Sequence, residues 1–256
     1  MRLGLRFAAA AGGGIFAWSA MREYRFINAD GQSVHRYPKQ DRSSLSRALS
    51  GDAVDRKLDA LYAGLPDVHD IPPDELELID RSGGHDAYGE LTTRGVREVV
   101  HRLQVQPGDV LADLGSGSGS MVIQCALEWP SLRSMLGVEL SHTRHATAVA
   151  AHSRDPQLLH KVQLIEGDML AVDLSDVDVL YVASLLFDDE FMGRLGGVLA
   201  RQPRLRAVAS LTPFPPDSLP GFSDDPSNFG ESADMLSERV EVTWGAARTY
   251  VYRRTL

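Results

Sequence analysis

The chain has 256 residues, 43% of them hydrophobic, and a formal net charge of −9. That is enough apolar mass for one large α/β domain with an added segment, and the negative balance argues against broad, sequence-independent binding to nucleic acid. The single cysteine, Cys125, leaves no disulfide framework, and no Cys/His spacing points to zinc or another metal.

The first 25 residues differ from the rest. Arg2, Arg6, Arg22 and Arg25 stand against Glu23 alone and enclose an apolar run from Phe7 to Met21. At 15 residues the run is shorter than the roughly 17–25 that a membrane span takes. A basic, acid-poor start of this kind reads as an organelle-targeting segment or membrane anchor. A tail without an address, with the protein nuclear or cytoplasmic, is the other reading. Residues 26–80 read as a helical and irregular extension, with one helix over Val54–Ala63 and linker or turn at Pro66 and Pro72-Pro73. Residues 81–256 form the main domain.

From there the periodicity alternates. Val96, Val99, Val100 and Leu103 predict a helix over Thr93–Leu103. Gly108–Ala112 reads as a turn entering a buried strand, and Met121, Val122, Cys125, Ala126 and Trp129 place a helix after the glycines that follow. Cys125 falls on its inward face, as a small core residue. Ser134–Glu139 is the next strand, and Ser141 caps a helix to Ser153 with Ala146, Val149 and Ala150 inward. A strand from Val162 ends near Asp168, a fourth covers Val177–Val182, Asp188 or Asp189 caps a helix carrying Phe191 and Leu195, and Arg206–Ser210 is a fifth strand. Thr212–Ser232 is a long loop rich in Pro, Asp and Ser, and Val240–Trp244 with Thr249–Arg253 reads as a hairpin. Repeated βα units predict a doubly wound, mainly parallel seven-stranded α/β sheet, with helices on both faces and a terminal antiparallel hairpin.

The chemistry gathers at the strand ends. Asp113-Leu114-Gly115-Ser116-Gly117-Ser118-Gly119 joins a strand to a helix, so the backbone can approach a ligand closely. Residue 120 is Ser, so the G-x-G-x-x-G fingerprint of a dinucleotide site is not met. A carboxylate two residues before the first glycine does not suit a diphosphate; it suits a ligand with a cationic end, such as the amino acid moiety of S-adenosyl-L-methionine. Glu139, 26 positions on, ends the second strand, where it can take both hydroxyls of a ribose. Asp168 ends the third and can accept from an adenine amino group while Met169 covers the ring.

These pieces resemble the disruptor-of-telomeric-silencing family of non-SET histone-lysine methyltransferases, within the Rossmann-like adenosylmethionine-dependent class. The resemblance rests on Tyr88-Gly89-Glu90, a helix, Asp113–Gly117 and Gly137-Val138-Glu139, and covers roughly residues 85–215. It implies that Tyr88 and Glu90 belong to a loop over the cofactor. It also assigns Asp113 and Gly115 to the methionine end, Glu139 to the ribose, and Asp168 and Met169 to adenine, with Gly117 and Gly119 among the cofactor-binding residues. The implied partner is a protein with an exposed lysine, a histone among the candidates.

The chain departs from the family in the acceptor region. The family's Val-Asn-Asn-Phe-Ala-Phe after the fourth strand is Val182-Ala183-Ser184-Leu185-Leu186-Phe187 here, and its Ser-Lys-Pro-Phe is Leu211-Thr212-Pro213-Phe214. On this reading Ser184, Phe187 and Tyr88 position the acceptor, and Phe187 and Phe214 read equally as channel walls or as core. No basic extension of the kind that would hold DNA phosphates is recognised. A small-molecule methyltransferase and a non-catalytic binding protein stay open as alternatives.

Overall fold

The computed structural model describes residues 53–83, 89–225 and 239–255, all of which fall in one compact unit, Gln40–Leu256. Residues 1–25 lie outside the described residues. No helix among the described residues is long and apolar enough to cross a membrane.

Five short parallel strands form the sheet's centre: β1 (Val110–Leu114), β2 (Ser134–Glu139), β3 (Val162–Glu166), β4 (Val179–Val182) and β5 (Ala207–Ser210). The full order is β3-β2-β1-β4-β5-β9-β6, with β9 (Tyr250–Arg254) antiparallel to both β5 and β6 (Phe222–Asp224). All residues of β1, β4 and β5 are buried, as expected of parallel strands covered on both faces. The chain progresses in one direction through β1, β2 and β3 and in the other through β4 and β5. The crevice between the ends of β1 and β4 is therefore the switch point at which open α/β sheets bind ligands.

One face is covered by α1 (Ala53–Tyr62), α3 (Thr93–Leu103), α4 (Ser120–Glu128) and α5 (His142–Ser153), whose Leu58, Val99, Ile123 and Ala151 share a core with Leu111 and Tyr181. The other carries α6 (Asp189–Ala200), with Phe191, Met192, Leu195 and Leu199 against Leu114, Leu180 and Val208. Helix α3 has the predicted span, begun by Thr92 accepting from Gly95 N. Ser141 caps α5 and Asp188 caps α6 in the same manner.

Four elements depart from expectation. Pro72-Pro73 opens a helix, α2 (Pro73–Ser82), since Pro at the first helical position forfeits no hydrogen bond, and Gly83 closes it at φ 84°. Helices α1 and α2 join the domain: Leu58 and Leu61 lie in its core, and Asp55 is buried in α1 against Arg97 of α3 at 3.1 Å. The inward stripe of α5 is Arg144, Thr147, Ala148 and Ala151, whereas Ala146 and Val149 face solvent. Arg144 turns inward because its Nε donates to Val68 O, 3.3 Å away. Finally, the hairpin pairs β7 (Arg239–Val242) with β8 (Gly245–Arg248) around a two-residue turn, Thr243-Trp244. Tyr250–Arg254 is thereby released to fill the slot between β5 and β6, where Val251 meets one core and Tyr252 the other. The β9 arginines also satisfy orphan carbonyls at helix ends. Arg253 reaches Arg102 O and Leu103 O of α3, and Arg254 reaches Ala200 O and Gln202 O at the end of α6.

Candidate active site

The turn after β1 is drawn tightly onto β2. Gly115 N and Ser116 N both donate to Val138 O at 2.9 Å, and Gly119 N closes back onto Ser116 O at 2.8 Å. Gly115, Gly117 and Gly119 all adopt positive φ. At Gly119 the requirement is twofold: φ is 74°, and a Cβ would stand 3.0 Å from the Ala148 methyl of α5. Glycine there lets the turn pack closely against Ala148 of α5.

Glu139 is built into that loop. One carboxylate oxygen accepts from Gly117 N and the other from Ser141 N, each at 2.8 Å, and the residue is buried. Two backbone donors thus fix the carboxylate plane while each oxygen keeps a lone pair for a ligand. Asp113 is treated differently. It is 4% exposed, and its Oδ1 has no hydrogen-bond partner. Burial pushes its carboxyl up to about 8, with Glu139 adding to the effect. Beside it in register lies Tyr181 of β4, also buried, whose phenol is driven upward by burial and by Asp113. An orphaned buried carboxyl facing a crevice lined by Leu91, Met121, Tyr181 and Ala183 fits a compact cation.

The loop bearing Glu90 closes one side. Its carboxylate accepts from Ser118 Oγ of the glycine turn. Its backbone pairs with the hairpin: Thr243 N donates to Glu90 O at 2.9 Å, and Leu91 bridges Val242. Trp244 packs against Gly89, so close that a Cβ there would sit 1.5 Å from Cζ3. Tyr62 of α1 holds the same turn from outside, donating its hydroxyl to Ser118 O at 2.8 Å. Tyr88 lies outside the described residues.

Asp168 and Met169 part company. Met169 arrives over the glycine turn, its Cε 3.6 Å from the place a Gly115 Cβ would take. Asp168 is exposed, with Oδ1 accepting from Leu170 N at 2.8 Å within its own turn. The acceptor residues need correction. Ser184 is fully buried, and its Oγ accepts from Leu211 N and Thr212 N at 3.2 and 3.0 Å. It staples the exit of β4 to the exit of β5 and offers its hydroxyl oxygen to the backbone there. Phe187 meets Phe191 at a tilt, with ring centroids 4.6 Å apart, and Phe214 meets Tyr252 edge-on at 5.2 Å. Phe214 belongs to the core on the α6 face and half-buried Phe187 packs against it, whereas the crevice takes its apolar walls from the opposite face. Among the described residues, Tyr181 lines the crevice beside Asp113 and Trp244 packs on Gly89 next to Glu90. Neither is marked in the sequence: one sits in a continuous apolar strand, and the other is recruited by a pairing 150 residues away.

A profile of the family described as "Histone methylation protein DOT1" matches residues 72–245. The chain is 29% identical over 168 residues to a histone-lysine N-methyltransferase, H3 lysine-79 specific, of Cryptococcus neoformans, covering 60% of this chain and 25% of that protein. It is 25% identical over 184 residues to the protein of the same description from Candida albicans, covering 67% and 14%. The chain therefore spans a quarter or less of the length of these relatives. The solved magnesium protoporphyrin IX methyltransferase of Synechocystis PCC 6803 overlaps with a TM-score of 0.48 and 13% identity, over 86% of this chain and 100% of that one. The match extends from the start of α2 to the hairpin that closes on Gly89, and on it the chain belongs to the DOT1 family of histone methylation proteins.

Proposed function

We propose that this chain is an S-adenosylmethionine-dependent protein-lysine methyltransferase directed at a histone or a similar basic protein. The observation that carries the reading is the pair of buried acids at the switch point, one orphaned and one held by two amides. When bound, adenosylmethionine supplies an electrophilic methyl group on a sulfonium. Asp113 holds the cofactor's ammonium, the glycine turn lies against its methionine end, Glu139 holds the ribose, and Met169 packs against adenine. Glu90, tied to Ser118 and to the hairpin, keeps the loop over this assembly and limits the entry of water. A lysine acceptor has to be neutral, and the Leu91, Met121 and Ala183 wall favours that by burying the amine among apolar groups. The net charge of −9 suits a basic protein partner better than a nucleic acid. Residues 1–25 address or anchor the protein.

A small-molecule acceptor is the second reading, favoured by Ala183 lining the crevice while Ser184 turns into the core. Incubation with tritiated adenosylmethionine, purified histones and a metabolite fraction separates the two. Methyl-lysine in protein is the expected product. Label confined to a small molecule, or to arginine, overturns the lysine assignment, and absence of adenosylhomocysteine binding by calorimetry overturns the reading altogether.

A further inference from the structure

We propose that Glu75, in the first turn of α2, is a positioning residue that sets the ribose-binding carboxylate of Glu139 through Ser141. The inference rests on the cofactor reading above. The first turn of α5 carries amide donors that its own helix cannot satisfy. Three are placed: Ser141 N donates to Glu139, Thr143 N to Glu75 at 3.1 Å, and Arg144 N to Ser141 Oγ at 3.2 Å. Glu75 also accepts from Thr143 Oγ1 at 2.7 Å and from the Ser141 hydroxyl. Two carboxylates therefore share one helix N-terminus, a position that attracts negative charge. Glu75 arrives from outside the sheet and takes the outer donors. Glu139 keeps a single helix amide and spends its second oxygen on Gly117 of the glycine turn.

This division decides where Glu139 points. With Glu75 removed, the Thr143 donors and the Ser141 hydroxyl lose their acceptor, and Glu139 is the carboxylate next to them. Turning toward them means leaving Gly117, and with it the orientation in which both oxygens face a ribose. The charged state of Glu75 suits the task. Burial alone would raise its pKa, but the hydrogen bonds from Ser141 and Thr143 and the neighbouring His142 outweigh this and hold it below its ordinary value. Helix α2, which looks peripheral, is thus coupled to the ligand by a chain of three residues.

The test compares binding of adenosylhomocysteine and its 2′,3′-dideoxy analogue, by calorimetry on the full chain. Wild type should prefer the ribose ligand by about 10- to 100-fold, since the analogue gives Glu139 nothing to bind. Glu75→Ala should weaken the ribose ligand by about five- to tenfold and the analogue by less than about twofold, narrowing the ratio. Glu75→Gln, which keeps an acceptor for Thr143, should restore most of it. If Glu75→Ala does not fold, Glu75→Asp, whose shorter side chain withdraws the carboxylate from the Thr143 donors and the Ser141 hydroxyl, should narrow the ratio likewise. Equal weakening of both ligands would mark Glu75 as merely structural and overturn the inference. So would an unchanged ratio in a folded variant. A wild type that binds both ligands alike removes the ribose role of Glu139 and the inference with it, whereas a discriminating wild type with an equally discriminating Glu75→Ala overturns Glu75 alone.

Discussion

Replacing Asp113 with Asn should stabilise the protein without cofactor and ruin its cofactor site. The carboxyl is buried, its Oδ1 has no partner, and its pKa is pushed up to about 8, against about 3.9 for an unfolded chain. Between those values the folded protein holds a proton that the unfolded chain has released, so the native state loses ground as pH rises from about 4 to about 8. At pH 7 the accumulated cost is on the order of 4 kcal/mol. Asparagine cannot ionise, but its buried amide still lacks partners, a residual penalty of about 1–3 kcal/mol. The net gain is then about 1–3 kcal/mol near neutral pH, or roughly 3–8 °C in Tm for a chain of this size. Near pH 4, where the protonation cost has vanished, the variant should be the less stable by about 1–3 kcal/mol, and the order should reverse as pH rises. Adenosylhomocysteine affinity should move oppositely. Only about one Asp113 in ten is ionised at pH 7, so wild-type affinity should rise about tenfold per pH unit from 5.5 to 7, where a ligand α-ammonium stays charged. In Asp113→Asn it should be weak and nearly flat. Thermal unfolding and calorimetry across this range decide the matter. A Tm gap that stays constant with pH, or an Asn variant less stable at pH 7.5, refutes the reasoning.

Three further outcomes are expected. Ser184→Ala should leave Leu211 N and Thr212 N without their acceptor and cost about 1–3 kcal/mol in denaturant unfolding, with KM for the acceptor unchanged; lost turnover at full stability would instead return Ser184 to the acceptor channel. Gly89→Ala should displace the Trp244 ring and weaken cofactor binding, with Trp244→Ala partly rescuing it in the double variant; a cofactor affinity equal to wild type would show that the Gly89 contact is immaterial. Deletion of residues 1–25 should leave adenosylhomocysteine binding intact and change where a fluorescent fusion accumulates, and identical distributions would remove the targeting role.

Much of the domain is legible because its elements are locally marked. The glycine turn, Ser141 and Asp188 announce boundaries, and the Val96–Leu103 periodicity fixes a face. Asp113 and Glu139 stand out because an acid at a strand end beside glycines has few structural uses. What escapes has no local mark. Pro72-Pro73 is as compatible with a linker as with a helix start, and the three residues of β6 are strand only because β9 lies beside them. A small hydroxyl after β4 suits an incoming amine and an unpaired loop amide equally, and in Ser184 the second demand prevails. Tyr62, Glu75, Tyr181 and Trp244 acquire their roles from partners 56 to 155 positions away or from strand register.

The strand order also has a kinetic consequence. Among the described residues strand β6 pairs with β9 alone, and β9 must enter between β5 and β6 although hairpin β7–β8 precedes it by a single residue, Thr249. Until the ribosome has delivered Arg254, β5 has an open edge, the carbonyls at the ends of α3 and α6 lack their guanidinium partners, and Gly89 waits for Trp244. Both closures join segments separated by long stretches of chain, the slow kind of contact in folding. An early intermediate should therefore contain β1 to β5 with their helices and expose the β5 edge, a place where chaperones or a second nascent chain can intervene. Hydrogen exchange pulsed during refolding should protect Ala112 and Val138 well before Val251.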